Sequence, residues 1–574
     1  MMNISQIKKS NYKQLKNISQ KIRGFLIKSI SRTGGHIGAN LSTIEITIAL
    51  HKVFNSPTDK FIFDTGHQGY THKILTGRMK KFTSLNQNGG MSRFLKREES
   101  RHDIIDASHA GTALSIACGF AWDQRKFQDS NYVIPIVGDG TMVEGMNFEA
   151  LNFSSVKLKN MIIILNDNEM AIDKSVGGFR SLTTGKDWQK KSKNFFQGLN
   201  LEYISVKDGH NIELIVNALK KAKKLKKTCI IHIKTEKGKG LKFARNHKYK
   251  MHFSMPFNYK TGDGANPTIT GKTFGMVAAK EINKILNKNK KAIVVTPATP
   301  YASYLDEIEK KHQNRVIDVG MAEQHAVGFA CGLALKGLKP ILCVQSTFLQ
   351  RAYDQIIHEL SFMSADVLIL SVRSGFAGFD SPTHHGLFDI SYLNSIPNIN
   401  IFYPNSEKSL KNLINKKMSR KNLKTNIILM PYEPINIFQN NNNELINKKN
   451  VKKNLVIFCL LNTLKIAQAI KKSDKVEYFN GVKVFCVDQI KPFNKKLLIK
   501  IIRNNPNSSF ISVEENMLNG GLGSIIKQNL SHKKMDLINF AINDKFIDAG
   551  DKIKCLKESG INPEKIISLL NKIQ

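Results

Sequence analysis

Residues 132–140 read YVIPIVGDG and residues 161–168 read MIIILNDN, two short apolar runs that each end in polar residues. Such runs predict buried β-strands, so Asp139 follows one strand and Asn168, 29 positions later, follows another. Ligands gather at the carboxyl ends of parallel strands, so the two side chains are expected to lie side by side. The glycines flanking Asp139 would let an anion such as a diphosphate come close, and the oxygens would suit Mg²⁺. Either motif alone would favour an ordinary turn, but the pair favours a metal site.

The rest of the chain alternates between helical and strand patterns. Residues 15–53 carry a helical pattern that is interrupted at 33–36 (TGGH). Further apolar runs predict strands near 230–233, 292–295, 316–319, 341–344, 367–372, 456–460, 482–487 and 509–513. This alternation predicts an α/β fold with mostly parallel sheets.

Two polar stretches are interpreted as linkers. The first is 259–268 (YKTGDGANPT), and the second is the Asn/Lys-rich stretch 439–454. At 574 residues the chain is long enough for about three domains. The predicted domains are 1–262, 269–436 and 452–574.

The composition excludes several classes of protein. The formal net charge is +40, but the lysines are spread along the whole chain and no basic stretch alternates with aromatic residues, so specific nucleic-acid binding is not expected. No apolar run approaches a membrane-spanning length, and the polar, Lys-rich N-terminus does not resemble a secretory signal. The seven cysteines form no C-x-x-C pair, which indicates reduced, buried thiols. A cytoplasmic protein without membrane partners is expected.

The sequence around these motifs resembles the 1-deoxy-D-xylulose-5-phosphate synthase family of the transketolase superfamily. The resemblance covers nearly the whole chain, and its motifs are long and follow the family order. The matching stretches include DTGHQGYTHKILTGR (64–78), GDGTMVEGMNFEALN (138–152), ILNDNEMAI (164–172), MAEQHAVGFACGLA (321–334), STFLQRAYDQ (346–355), THHGLFD (383–389) and VEENMLNGGLGS (513–524).

The resemblance implies a thiamine-diphosphate-binding fold in which the three domains bind the diphosphate, bind the aminopyrimidine ring and form the C-terminal domain. It implies that Asp139, Asn168 and the carbonyl of Met170 hold Mg²⁺. The diphosphate contacts that it implies are Gly140, Thr141 and the segment Ser108-His109-Ala110, which is expected at a helix start with free N–H groups. His67 is also expected to face the cofactor, and Asn168 would contact it through the metal.

Glu323 matches the glutamate that activates the cofactor in this family. The chemistry requires a carboxylic acid that shares a proton with the aminopyrimidine ring, and a partly desolvated carboxyl with a raised pKa suits that task. A glutamate at a helix start is usually exposed. The small apolar residues that follow Glu323 favour a buried site instead, and Phe348 is expected to stack on the pyrimidine ring.

A lone histidine is more often structural than catalytic, but five lie in turns that match active-site loops of the family. They are His36, His67, His109, His252 and His384. His36 and His384 are expected to orient and protonate the acceptor aldehyde. The remaining residues expected to contact the substrates are Arg351, Arg373, Asp380 and His252.

The chain departs from the family pattern mainly where the acceptor phosphate would bind. The segment 427–433 (IILMPYE) lacks the usual arginine, Gln345 replaces a tyrosine, and Val372 replaces an aspartate. Smaller departures are the Ala110-Gly111 pair, Leu241 and a short stretch at 177–200.

The function that the resemblance implies is decarboxylation of pyruvate and transfer of the two-carbon unit to glyceraldehyde 3-phosphate. The product, 1-deoxy-D-xylulose 5-phosphate, would supply isoprenoid and thiamine synthesis, and the enzyme is expected to be a homodimer. The acceptor-site departures leave open a transketolase-like paralogue with another donor or acceptor. A catalytically silent homologue is disfavoured because Asp139, Asn168 and Glu323 are all present.

Overall fold

The computed structural model describes residues 2–122, 131–158, 160–225, 227–264, 271–419, 424–435, 453–476, 478–530 and 536–572. The chain forms two compact units. The N-terminal unit comprises Met1–Thr268 with Gly320–Ala322, and the C-terminal unit comprises Ile269–Val319 with Glu323–Gln574. The division into three domains stays a prediction.

A five-stranded parallel sheet forms the centre of the N-terminal unit, with the strand order β1-β2-β3-β5-β4. Its strands are β1 (Lys60–Phe63), β2 (Val133–Gly138), β3 (Ile162–Asp167), β4 (Glu202–Val206) and β5 (Cys229–Lys234). The helices are α1 (Ile4–Lys9), α2 (Tyr12–Thr33), α3 (Ile37–Ser42), α4 (Ile44–Val53), α5 (Tyr70–Lys73), α6 (Ala113–Ala121), α7 (Gly145–Lys157), α8 (Gly177–Thr183), α9 (Trp188–Gly198), α10 (Ile212–Leu225) and α11 (Lys242–Asn246).

Helix α2 shows how the sequence specifies these elements. Asn11 and Gln14 form a reciprocal capping box at its start, which satisfies backbone donors that the helix itself cannot pair. The helix ends where Gly34 adopts a φ of +73°, a conformation that favours glycine. The predicted helix and its interruption are therefore confirmed. The apolar side of α2 is buried through Leu15, Ile18, Ile22, Leu26 and Ile30.

The C-terminal unit contains a seven-stranded sheet of order β14-β10-β11-β9-β8-β6-β7 and a four-stranded parallel sheet of order β13-β12-β15-β16. Only β14 runs antiparallel to its neighbour among the described strands. The strands are β6 (Ala292–Thr296), β7 (Val316–Asp318), β8 (Lys339–Gln345), β9 (Leu368–Ser374), β10 (Asn400–Phe402), β11 (Asn426–Pro431), β12 (Lys453–Cys459), β13 (Phe479–Cys486), β14 (Gln489–Lys491), β15 (Ser508–Met517) and β16 (Leu537–Ile542). The helices are α12 (Phe274–Lys288), α13 (Asp306–Lys311), α14 (Glu323–Leu335), α15 (Ser346–Leu349), α16 (Tyr353–Gln355), α17 (Asp389–Ser395), α18 (Glu407–Ser419), α19 (Leu464–Lys472), α20 (Lys495–Arg503), α21 (Leu522–Asn529), α22 (Lys552–Ser559) and α23 (Pro563–Lys572).

The predicted α/β architecture with mostly parallel sheets is confirmed. The first predicted linker ends at the boundary between the two units, Thr268. Most of the second, 439–452, lies outside the described residues, but its last two residues were assigned wrongly because they begin strand β12. Among the described residues, no helix has the length and apolar character needed to cross a membrane.

Candidate active site

Asp139 and Asn168 lie together at the carboxyl edge of the N-terminal sheet. The backbone N–H of Asn168 donates to Oδ1 of Asp139 at 3.2 Å, and the Ser175 hydroxyl donates to Oδ2 at 2.6 Å. The side-chain Oδ1 of Asn168 is buried and has no hydrogen-bond partner within the described residues. No cluster of three acidic, histidine or cysteine side chains able to hold a metal occurs in the described part of the chain. A cation here would therefore need oxygens from the amide, the backbone or a ligand as well.

The electrostatics of this edge depend on a second aspartate. Burial, with a smaller contribution from the neighbouring Asp167, raises the pKa of Asp139 to about 6. Burial also raises the pKa of Asp167, but hydrogen bonds offset it and the net pKa is lowered. The donors are His232 Nε2 at 2.7 Å and Lys234 Nζ at 2.8 Å. The site thus holds one carboxylate already paired with the Lys234 ammonium and hydrogen-bonded to the His232 imidazole, and one that a metal ion could pair.

Gly140 allows the two loops at this edge to approach each other. A Cβ at Gly140 would lie only 2.5 Å from Cα of Ala171, the residue after Met170. Any other side chain would therefore push the two loops apart. Thr141 begins a short 3₁₀ helix here, and its hydroxyl donates to the Gly138 carbonyl at 3.0 Å.

The expectation that Ser108-His109-Ala110 presents free N–H groups at a helix start is wrong. Helix α6 begins only at Ala113, and the N–H groups of Gly111, Thr112 and Ala113 all donate to the buried Asp64 carboxylate, at 3.1, 3.0 and 3.2 Å. The side chain of Asp64 therefore occupies the position that an anionic ligand would take at this helix. Contact between 108–110 and a diphosphate stays a prediction.

Three of the predicted histidines come together in the N-terminal unit. The ring centroids of His36, His67 and His252 lie 5.1–5.5 Å apart. Asn40 fixes two of them, because its amide donates to the backbone carbonyls of His36 and His67 at 2.8 and 2.7 Å. Burial lowers the pKa of His67 to about 3 and that of His252 well below its usual value. These rings are therefore neutral imidazoles at physiological pH, able to donate or accept a hydrogen bond.

Glu323 is the first residue of helix α14 and is buried. Burial raises the pKa of its carboxyl, although the nearby Arg351 guanidinium opposes the shift. Its Oε2 has no hydrogen-bond partner within the described residues. Its carboxyl therefore takes up a proton more readily than that of a free glutamate.

Phe348 and His384 are neighbours in the C-terminal unit. Their rings meet edge to face with centroids 5.7 Å apart. Ser381 Oγ lies 2.6 Å from His384 Nδ1, which orients the imidazole. The Thr347 hydroxyl also donates to the Thr383 carbonyl at 2.6 Å, which ties the two loops together.

Arg373 and Asp380 form the third group of predicted residues. Arg373 Nη1 lies 3.8 Å from the Asp380 carboxylate, and the guanidinium lies 4.8 Å from the centroid of the Tyr432 ring. Tyr432 belongs to the segment 427–433 and directly follows strand β11. A cation, an acid and an aromatic ring thus lie at the carboxyl edge of the seven-stranded sheet.

Comparison with known proteins identifies the family. The family described as 1-deoxy-D-xylulose-5-phosphate synthase matches residues 1–192 and 183–235, and the transketolase pyrimidine binding domain matches 271–433. The 1-deoxy-D-xylulose-5-phosphate synthase of Clostridium acetobutylicum is 36% identical over 96% of this chain and 95% of its own. That of Listeria monocytogenes is 36% identical over 98% and 94%. The chain belongs to the 1-deoxy-D-xylulose-5-phosphate synthase family.

Against the synthase pattern, the departures noted in the sequence have defined places. Gln345 ends strand β8 and Val372 lies near the end of β9, and both are buried. Leu241 packs in the core of the N-terminal unit. A solved transketolase from Campylobacter jejuni aligns over 98% of this chain and 100% of its own with a TM-score of 0.44 and 16% identity, too distant to add to the assignment.

Sequence reasoning missed several buried polar residues that lie beside the candidate site. Lys237 is buried, its ammonium donates to the Ala171 carbonyl at 2.5 Å, and burial lowers its pKa to about 8. A lysine carries little signal in a chain with 86 Lys and Arg residues, although the K-G-K-G motif around it could have suggested it. Asn40 and Asp64 were also missed, because Asn40 pairs with the distant His67 as well as with His36, and the partners of Asp64 lie more than 40 residues away.

Proposed function

We propose that this chain decarboxylates pyruvate on thiamine diphosphate and transfers the two-carbon unit to glyceraldehyde 3-phosphate, giving 1-deoxy-D-xylulose 5-phosphate and CO₂. In a chain of this family, the observation that carries the proposal is the buried, unpartnered Oδ1 of Asn168 beside Asp139. An orphaned buried acceptor costs free energy unless a ligand pairs with it. A divalent cation bound to a diphosphate would satisfy it.

The residues present fit this cofactor. Asp139, Asn168 and the Met170 carbonyl would supply hard oxygen ligands, which Mg²⁺ prefers. Gly140 removes the side chain that would block the approach of the two loops. This part of the proposal also includes the residues predicted to contact the diphosphate, which are Thr141, His67 and Ser108-His109-Ala110.

Thiamine diphosphate, when bound, supplies the carbon nucleophile and the electron sink that decarboxylation requires. Glu323 would share a proton with a nitrogen of the aminopyrimidine ring, which its burial and raised pKa support. Phe348 would stack on that ring. The imidazoles of His36 and His252 would hydrogen-bond substrate oxygens, and His384 would deliver a proton to the acceptor.

The acceptor phosphate is proposed to meet Arg351 and Arg373, with Asp380 orienting Arg373. A guanidinium offers several N–H donors in a planar array that matches phosphate oxygens. The lost arginine of the segment 427–433 would weaken phosphate binding by roughly 1.5–3 kcal/mol unless another group compensates. That loss, together with Gln345 and Val372, favours a family member with a different acceptor.

A homodimer in the cytoplasm is also part of the proposal. Helices α6 and α7 expose apolar side chains of the kind found in the cores of subunit interfaces. The exposed side chains are Ile116 and Phe120 of α6, Trp122 directly after α6, and Phe148 and Phe153 of α7. Each of these side chains is 37–50% exposed. Light scattering of the wild type and of Phe148→Asp would test this, and a monomeric wild type would contradict it.

The reaction is tested by a screen of donors and acceptors in which released CO₂ is measured. Pyruvate with glyceraldehyde 3-phosphate should give CO₂ and one equivalent of ketose phosphate. Phosphorylated aldehyde should exceed free glyceraldehyde by about 100-fold in kcat/KM, as roughly 3 kcal/mol of charge-assisted recognition gives. Equal use of both aldehydes would favour the paralogue with another acceptor, and failure to bind the cofactor would favour a silent homologue.

A further inference from the structure

Arg373 is placed by an irregularity in the seven-stranded sheet. Met430 of β11 pairs with Val372 of β9, but the next residue, Pro431, pairs with Ser374. Arg373 is therefore the extra residue of a β-bulge, and its φ of +65° lies in the left-handed region that non-glycine residues rarely adopt. Bulges next to active sites re-aim a side chain, and backbone strain persists only where its surroundings hold it.

The same bulge brings Arg373 onto the face of Tyr432. Tyr432 follows Pro431 directly, and the guanidinium carbon lies 4.8 Å from the centroid of its ring, which is within the range of a cation–π contact. The Asp380 carboxylate is 3.8 Å away, too far for a hydrogen bond. No side-chain hydrogen bond of Arg373 is found among the described residues, so its N–H groups are available to a ligand.

The other cation next to this segment is not available in the same way. The Lys552 ammonium contacts the carboxylate of Glu433, the residue after Tyr432, and lies 2.5 Å from that of Glu515. Burial lowers the pKa of Lys552 to about 7, and the Glu433 carboxylate pairs with its ammonium, so this lysine offers little positive charge to a phosphate. The guanidinium of Arg351 lies close enough to Glu323 to oppose the rise in the pKa of that carboxyl. Arg351 therefore lies beside the group proposed to activate the cofactor.

We propose that Tyr432 is a positioning residue that holds the guanidinium of Arg373, a proposed contact of the acceptor phosphate, through its ring face. This deepens the proposed function and rests on it. Tyr432 lies in the segment where the family pattern has an arginine. The chain would thus replace a second charge–charge contact with an aromatic surface that orders the first, because a planar guanidinium held on a ring loses less freedom when it binds phosphate.

The test uses the full chain with thiamine diphosphate and Mg²⁺, and glycerol 3-phosphate as an acceptor analogue that lacks the aldehyde. Isothermal titration should show binding to the wild type. Arg373→Ala should weaken it roughly 10- to 100-fold, Tyr432→Ala should weaken it about fivefold, and Tyr432→Phe, which keeps the ring, should stay within about twofold. Tyr478→Ala removes another exposed tyrosine of this unit and should change nothing. The KM for glyceraldehyde 3-phosphate should rise in parallel in Tyr432→Ala, while kcat and the KM for pyruvate stay unchanged.

Two results would overturn the inference: unchanged analogue binding in Tyr432→Ala, or equal weakening in Tyr432→Ala and Tyr432→Phe, which would assign the effect to the hydroxyl. Because Tyr432 is 42% exposed, its substitution should not unfold the unit, and a thermal melt checks this. If the wild type releases no CO₂ from pyruvate but the analogue titrations behave as described, the proposed reaction fails and the phosphate site stands. If CO₂ is released but the titrations of the variants do not differ from that of the wild type, the proposed reaction stands and the proposed phosphate site fails.

Discussion

The carboxyl edges of the two large sheets differ in how they hold their candidate functional side chains. At the edge of the N-terminal sheet, Asp139 and the buried oxygen of Asn168 are built into loops packed so closely that Gly140 cannot carry a side chain. At the edge of the seven-stranded sheet, Arg373 and Tyr432 are partly exposed and depend on a bulge for their position. The first edge leaves no room for a side chain at Gly140, whereas at the second edge the Tyr432 ring stands in the segment where the family pattern has an arginine.

The largest effect is expected at the first edge. Asp139→Ala removes the charged oxygen of the proposed metal site, so Mg²⁺-dependent binding of thiamine diphosphate should weaken by at least about 100-fold. Titration of the metal-depleted protein with the cofactor and Mg²⁺ measures this. Asp187→Ala, which removes an exposed aspartate, is the matched control. Wild-type affinity in the Asp139 variant after EDTA treatment would remove this residue from the metal site.

The second prediction concerns Glu323, the buried carboxyl at the start of α14. Glu323→Gln keeps the size of the side chain but cannot share an acidic proton, so exchange of the cofactor C2 proton should slow by at least about 100-fold while the cofactor still binds. Proton NMR in D₂O measures the exchange. The exposed Glu307→Gln serves as control. An unchanged exchange rate in the Glu323 variant would show that activation has another source.

The third prediction tests the edge that departs from the family. Arg373→Ala should raise the KM for glyceraldehyde 3-phosphate by roughly 10- to 100-fold, because a charge-assisted contact of about 1.5–3 kcal/mol is lost. The KM for pyruvate and kcat should change little. Arg503→Ala, at the exposed end of α20, controls for the loss of one positive charge. If the phosphorylated acceptor keeps its KM, recognition lies elsewhere on this edge.

The sequence predicted the strands of both edges because apolar runs such as 132–137 and 161–165 are bounded by glycine or asparagine. It also predicted Asp139, Asn168 and Glu323 as neighbours of strand ends. It could not predict that Asp64 occupies the start of α6, since 47 residues separate it from Gly111. The first residues of β12 were misassigned because Lys453 and Asn454 continue a polar stretch, and only their pairing with Phe479 and Ser508 makes them part of a strand.

The acceptor edge was harder to predict for a physical reason. The missing arginine of 427–433 is visible in the sequence, but the stacking of Arg373 on Tyr432 depends on the bulge that shifts the register after Met430. A bulge changes which side chains meet without changing the alternation of apolar residues. Lys237 was missed for a similar reason. Its burial distinguishes it from the many other lysines of the chain, and the sequence does not show which lysines are buried.

The smallest expected effect is a difference in how the two units respond to pH. In the N-terminal unit, burial lowers the pKa of His67 from 6.5 to about 3, so between these values the unfolded state binds the extra proton and stability falls as the pH falls. In the C-terminal unit, burial raises the pKa of Glu514 from 4.5 to about 7, so the folded state binds the extra proton and stability falls as the pH rises. Each group contributes a slope of at most about 1.4 kcal/mol per pH unit.

Hydrogen exchange followed by mass spectrometry at pH 5 and pH 6, corrected for intrinsic rates, resolves the two units separately. Relative to His67→Gln, wild-type peptides of the N-terminal unit should gain about fivefold in protection between pH 5 and pH 6. Relative to Glu514→Gln, wild-type peptides of the C-terminal unit should lose about as much over the same interval. Glu514 accepts N–H groups from Leu522 and Gly523 at 2.5 and 2.8 Å, so its variant will also lower the absolute protection, and only the pH dependence is compared. If protection changed in the same direction with pH in both units, groups other than His67 and Glu514 would dominate the pH dependence of stability. The two units would then not differ in this respect.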